Sequence, residues 1–143
     1  MKTNHSFILI QGARVLKPLL LGLALVTFYR GHHLPGGGFI AGLIAAAAFT
    51  LIAMGEGVPA ARRALKLDPL TLATLGLGLA LAAGLTGLFL RDALLAGVWL
   101  PAFTVPLLGS VHLGTPVLFD AGVFLTVTGF ATQVVFSLQE SEP

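Results

Sequence analysis

Polar and apolar positions alternate along this chain on a coarse scale. Long apolar runs, each near the ~20 residues that cross a bilayer, are separated by stretches where Gly, Pro and charge collect. Four runs can be marked, at about 11–29, 37–54, 69–90 and 117–138, with a longer connection at about 91–115. The first carries Arg14 and Lys17 in its lower third, where long basic side chains reach back to the interface. The third opens on Asp68-Pro69 and the fourth on Thr115-Pro116, both suited to a helix cap and first turn. The pattern predicts an all-α integral membrane protein, with residues 1–143 forming one domain of four transmembrane helices.

Within the last three runs small residues recur at helical spacing. Positions 38, 42, 46 and 50 are Gly, Gly, Ala and Thr; 73, 76, 80, 84 and 87 are Ala, Gly, Ala, Gly and Gly. Positions 122, 126, 129, 133 and 137 add Gly, Thr, Gly, Gln and Ser. Lipid tails supply little hydrophobic drive between helices, so such stripes mark faces where backbones approach closely. So many close-packing faces in so short a chain lead us to expect helices from other subunits against some of them. The connection at 91–115 is itself apolar, with Pro101, Pro106, Gly109 and Gly114. It is expected to form a short hairpin or a cap over neighbouring helices, since so much apolar surface is poorly suited to free solvent.

Composition supports the membrane assignment: 56% of residues are hydrophobic and 10% charged, against about a quarter charged in soluble domains. The absence of cysteine removes thiolate catalysis, Cys-ligated zinc and iron–sulfur clusters. No nucleophile triad, phosphate-binding Gly loop or His/carboxylate spacing for a metal is present, so no cofactor and no metal site is expected. The formal net charge of +2 is scattered beside the apolar runs, which speaks for topology signals and against nucleic-acid binding. Lys2, Arg14 and Lys17, with Arg62, Arg63 and Lys66 in the second connection, outnumber Arg30 and Arg91 in the other two. Both termini are therefore expected in the cytoplasm, with the first and third connections outside.

The least ordinary stretch runs from Tyr29 to Gly42. Pro35 fixes φ, while Gly36, Gly37 and Gly38 permit backbone geometry that side chains would forbid. Three glycines cost roughly 1 kcal/mol each against alanine where they are helical. A packing motif of Gly31, Pro35, Gly36, Gly37, Gly38, Phe39 and Gly42 is expected, its bare groove taking helices of neighbouring subunits. Asp120, about a turn into the fourth run, is either an intramembrane acid with a functional role or a carboxylate serving a helix dipole. The expected topology brings it to the same side as His32 and His33, and an imidazole near a carboxylate can pass protons near neutral pH. Asp120 and His32 are thus the ion-pathway candidates. Arg14 and Lys17 either snorkel or pair with an acid of another subunit; Glu56 is read as a surface group.

The run Gly31-His-His-Leu-Pro-Gly-Gly-Gly-Phe-Ile-Ala-Gly-Leu43 resembles the signature of the MnhB family, a small-subunit family of Mrp-type multisubunit antiporters. A second block, Leu107-Leu-Gly and then Leu118-Phe-Asp-Ala-Gly-Val-Phe-Leu-Thr-Val-Thr-Gly129, resembles that family's Phe-Asp-x-Gly-Val run. His33 stands where the family commonly has Asn. The resemblance implies a subunit of a hetero-oligomeric complex in a prokaryotic cell membrane that exchanges Na+ or another monovalent cation for protons. Its partners would be the large antiporter-like subunits and other small membrane subunits. The alternative is a membrane-arm subunit of a hydrogenase-type or complex I-related redox complex, where the same domain occurs.

Overall fold

The computed structural model describes residues 7–31, 36–101, 103–105, 109–111 and 113–141. Five helices form among them: α1 (Phe7–Arg30), α2 (Gly38–Glu56), α3 (Val58–Leu65), α4 (Pro69–Arg91) and α5 (Thr115–Ser141). All but α3 are long and apolar enough to cross a membrane. The first span begins at Phe7, one turn before Gln11, and runs unbroken through Pro18.

The spans pack as a row, α1 beside α2, α2 beside α5 and α5 beside α4. This order puts α5 in the interior of the row, and its two faces explain where the small-residue stripes go. Gly122 and Gly129 face α4: a methyl group on Gly122 would come 2.5 Å from the Ala80 nitrogen, and one on Gly129 2.5 Å from the Pro69 carbonyl. From the other side, a methyl group on Gly76 would come 2.5 Å from the Thr126 nitrogen. Thr126 Oγ1 donates to Gly122 O at 2.8 Å and also reaches Ala73 O at 3.4 Å. The stripes of α4 and α5 are therefore matched to each other.

The opposite face of α5 takes the stripe of α2. A methyl group on Gly42 would come 2.8 Å from Val127 Cβ and 3.0 Å from the Phe124 carbonyl, and Thr128 Oγ1 lies 3.4 Å from Gly42 O. This corrects the expectation that the Gly38–Gly42 groove receives helices of other subunits. The chain's own α5 fills it, with Val127 and Thr128 set against Gly42. Large apolar side chains are left outside instead, among them Leu19 and Leu23 on α1, and Leu75 and Leu81 on α4.

At one end of the row Phe49, Ile52, Ala53, Val58, Ala61 and Phe136 form a buried cluster. There α2 breaks at Gly57, whose φ of 89° suits glycine, and α3 lays Val58 and Ala61 onto the cluster. Lys66 ends α3 in the left-handed region, and Asp68 caps α4 by accepting from the N–H groups of Leu70 and Thr71, each at 3.1 Å. At the other end, the connection before α5 holds a two-stranded antiparallel hairpin, β1 (Phe103–Val105) with β2 (Gly109–Val111). Its stem continues through a Trp99–Gly114 bridge, and Thr115 N–H donates to Val98 O at 2.9 Å. Of the hairpin and the cap expected for this connection, the hairpin forms in its second half, tied directly to the first turn of α5.

Candidate functional site

The site lies at the hairpin end, where the α1–α2 turn meets α5. Thr27 O accepts from both Gly31 N–H and Gly37 N–H, each at 3.2 Å, drawing the two sides of the turn together. Nothing larger than hydrogen fits between them: a methyl group on Gly31 would land on the Gly37 backbone, and one on Gly36 would come 2.5 Å from Thr27 O. Gly37 then adopts φ 101° and ψ −178°, a conformation open essentially to glycine alone. Phe28 and Phe124 meet at 5.6 Å between ring centroids and hold the end of α1 against α5.

Gly37 occupies the N-cap position of α2 and has no side chain to bond the free amides of the first turn. Asp120 supplies the acceptor from another helix. Its Oδ1 accepts the Gly38 N–H at 2.8 Å, and a methyl group on Gly38 would land on the Asp120 carbonyl oxygen. Of the two readings of Asp120, the dipole role thus takes a specific form: the dipole served is that of α2, and Asp120 is in the second turn of α5. The carboxylate has no other hydrogen bond from a described residue and remains partly accessible.

Asp120 also lines an open cleft of about 580 Å³, together with Gly36, Gly37, Ala83, Gly84, Trp99, Thr115 and Phe119. The cleft exists because residues 92–96 fold back over the end of α4. Leu95 N–H donates to Gly84 O at 3.1 Å, and a methyl group on Gly87 would come 2.6 Å from both Ala96 N and Ala96 O. One carboxylate, aromatic walls and bare backbone suit a cation better than an anion.

Of the residues expected from the sequence, Gly31, Gly36, Gly37, Gly38 and Asp120 come together here. Phe39 points outward, 58% exposed, and Gly42 lies one turn deeper. His32, His33 and Pro35 lie outside the described residues. At the opposite end Arg14 Nε meets Glu56 Oε1 at 3.3 Å, so an acid of its own chain reaches it. Lys17 makes no ion pair among the described residues.

Sequence reasoning missed the network around Arg62. Its guanidinium reaches Asp68 and Glu140, each at 3.3 Å, and lies 5.3 Å from the centroid of the Phe136 ring, joining α3, α4 and α5. The one available signal was that the expected topology puts all three charges on the same side.

The sequence pattern of a family described as "Domain related to MnhB subunit of Na+/H+ antiporter" matches residues 8–133. The chain belongs to the MnhB family. A relative from Alkalihalophilus pseudofirmus, named as the B-type subunit of a Na(+)/H(+) antiporter, is 32% identical over 90% of this chain and 89% of its own length. A Bacillus subtilis relative of the same name is 31% identical over 99% and 97%. A putative antiporter subunit mnhB2 from Staphylococcus epidermidis is 33% identical over 96% of each chain. Among solved structures, a chain of the Mrp complex from Dietzia sp. DQ12-45-1b superimposes with a TM-score of 0.73 and 31% identity over 95% of this chain. This MnhB-family chain spans 14% of that much longer polypeptide. It is a multi-pass membrane protein and a transporter component.

Proposed function

We propose that this chain is a subunit of a hetero-oligomeric antiporter that exchanges Na+, or another monovalent cation, for protons across a prokaryotic cell membrane. The observation that carries this reading is the near end-to-end similarity to the antiporter subunits of A. pseudofirmus and B. subtilis. Its partners are the large antiporter-like subunits and the other small membrane subunits, and it acts as part of a secondary transporter with no catalytic chemistry of its own. The excess of basic residues at the α3 end orients that end, with both termini, to the cytoplasm. The hairpin and the Asp120 cleft then open outside.

Asp120 and His32 are the residues we assign to the outer mouth of the ion path. Support for Asp120 comes from a carboxylate that is bonded through one oxygen and still lines an open cleft. For His32 it comes from the sequence alone, where it stands next to Gly31.

The reading is tested in everted membrane vesicles of an antiporter-deficient host expressing the whole complex. Adding Na+ should dissipate the imposed pH gradient with this subunit present and not with it omitted. Asp120→Asn should keep the complex assembled and lower exchange at least about tenfold. Unchanged exchange without the subunit would overturn the functional assignment. Unchanged exchange in Asp120→Asn would overturn the ion-path role alone.

A further inference from the structure

Among the described residues, the charges at the α3 end do not balance. Five bases are described there, Arg14, Lys17, Arg62, Arg63 and Lys66, against three acids, Glu56, Asp68 and Glu140. Two arginines take all three acids: Arg14 holds Glu56, and Arg62 holds both Asp68 and Glu140. Lys17, Arg63 and Lys66 make no ion pair among the described residues.

Arg63 and Lys66 are also the pair that α3 turns outward. Val58 and Ala61 are buried, with Ala64 and Leu65 packed against the same cluster, so one side of α3 is fixed onto the protein. Pro59 and Arg63, four apart, lie on the other side, and Lys66 follows directly after α3 as its left-handed C-cap; all three are exposed. The Lys66 N–H still donates to Arg62 O at 3.1 Å, so its backbone stays within a turn of Arg63, and two long side chains that close can reach one phosphate. Exposed apolar side chains flank them in sequence: Met54 and Leu67, each 49% exposed, and Leu70, 56% exposed. Two bases without an ion pair among the described residues, neighboured in sequence by exposed apolar residues where two spans leave the bilayer, match the phosphate and acyl chain of one phospholipid.

We infer that Arg63 and Lys66 form a binding site for the headgroup phosphate of an anionic phospholipid in the leaflet at the α3 end. The occupant is a lipid, because a free phosphate would leave Met54, Leu67 and Leu70 uncovered. The site lies at the opposite end of the spans from Asp120 and stands independently of any role in ion exchange.

The test uses the full chain purified in mild detergent and offered mixed micelles containing phosphatidylglycerol or phosphatidylcholine, with bound lipid counted by native mass spectrometry. The wild type should retain phosphatidylglycerol in preference to phosphatidylcholine. Each base near an anionic surface contributes roughly fivefold, so Arg63→Gln with Lys66→Gln should weaken retention at least about tenfold. Arg63→Lys with Lys66→Arg should restore it.

Equal retention of phosphatidylglycerol by the wild type and the double Gln variant would overturn the proposal. So would displacement of the lipid by millimolar inorganic phosphate, which would identify an anion site. Loss of assembly with the other subunits in the double variant, without any lipid preference in the isolated wild type, would also overturn it in favour of a partner's carboxylates.

Discussion

Asp120 and Gly38 stand 82 positions apart, yet Asp120 Oδ1 accepts the Gly38 backbone N–H at 2.8 Å. The bond joins the second turn of α5 to the first amide of α2. It needs three things of the sequence: no Cβ at Gly38, where one would strike the Asp120 carbonyl; a left-handed Gly37; and an acid at this one position of α5. An anionic acceptor at a helix N-terminus is favoured by the helix dipole and by the charge on the bond. The acid that faces the cleft therefore also holds the turn that forms one of its walls.

Capping and charge can be separated at this position. Asp120→Asn keeps a carbonyl oxygen for the Gly38 amide and should cost about 1 kcal/mol or less, the size of a dipole term. Asp120→Ala leaves a partly buried N–H without an acceptor and should cost about 1–3 kcal/mol. Thermal unfolding in detergent checks the order. Equal losses for the two variants would mean that the hydrogen bond contributes little.

The glycines should divide by what surrounds them. A methyl group on Gly129 would come 2.5 Å from both the Ala73 nitrogen and the Pro69 carbonyl, whereas Gly78 has nothing within 4 Å. Gly129→Ala must push α4 away from α5 and should destabilise by about 1–3 kcal/mol. Gly78→Ala should be neutral or stabilise by up to about 1 kcal/mol through helix propensity. Both are read from melting temperature.

The Arg62 network should be weak pair by pair. Its guanidinium side chain is 35% exposed, and the partner carboxylates are half exposed, so solvent screens each pair. A double-mutant cycle between Arg62→Gln and Glu140→Gln should give a coupling of about 0.2–1 kcal/mol, smaller in high salt. Replacing Arg62 alone should cost more than that coupling, because its stacking on Phe136 is also lost. Unfolding in low and high salt measures both.

The four spanning helices are legible because each apolar run has the length a bilayer demands, and Asp68-Pro69 and Thr115-Pro116 mark where two of them start. The destinations of the small-residue stripes are not. Gly38 and Gly42 announce a close approach, and only the order of helices in the row says that α5 makes it. Asp120 stands out as an acid in an apolar run, but its partner amide is 82 residues away, and no local pattern points there. The helix Val58–Leu65 reads as a connection because eight residues cannot span a bilayer and its arginines read as topology signals. Lying on the boundary, it uses the same residues to cover Phe136 and to gather Asp68 and Glu140 around Arg62.

The orientation of the spans can be read directly, since the chain has no cysteine. Ser141 ends α5 beside the basic end, and Ala96 sits in the folded-back segment at the hairpin end. The bases near α3 should hold that end in the cytoplasm, because translocating them against the membrane potential is unfavourable. Ala96→Cys in intact cells should then react with a membrane-impermeant maleimide, and Ser141→Cys only after the cells are opened. Replacing Arg63 and Lys66 with Gln should weaken this preference without inverting it, since Arg14, Lys17 and Arg62 remain on the same side. Labelling of Ser141→Cys in intact cells would reverse the assignment and put the Asp120 cleft in the cytoplasm.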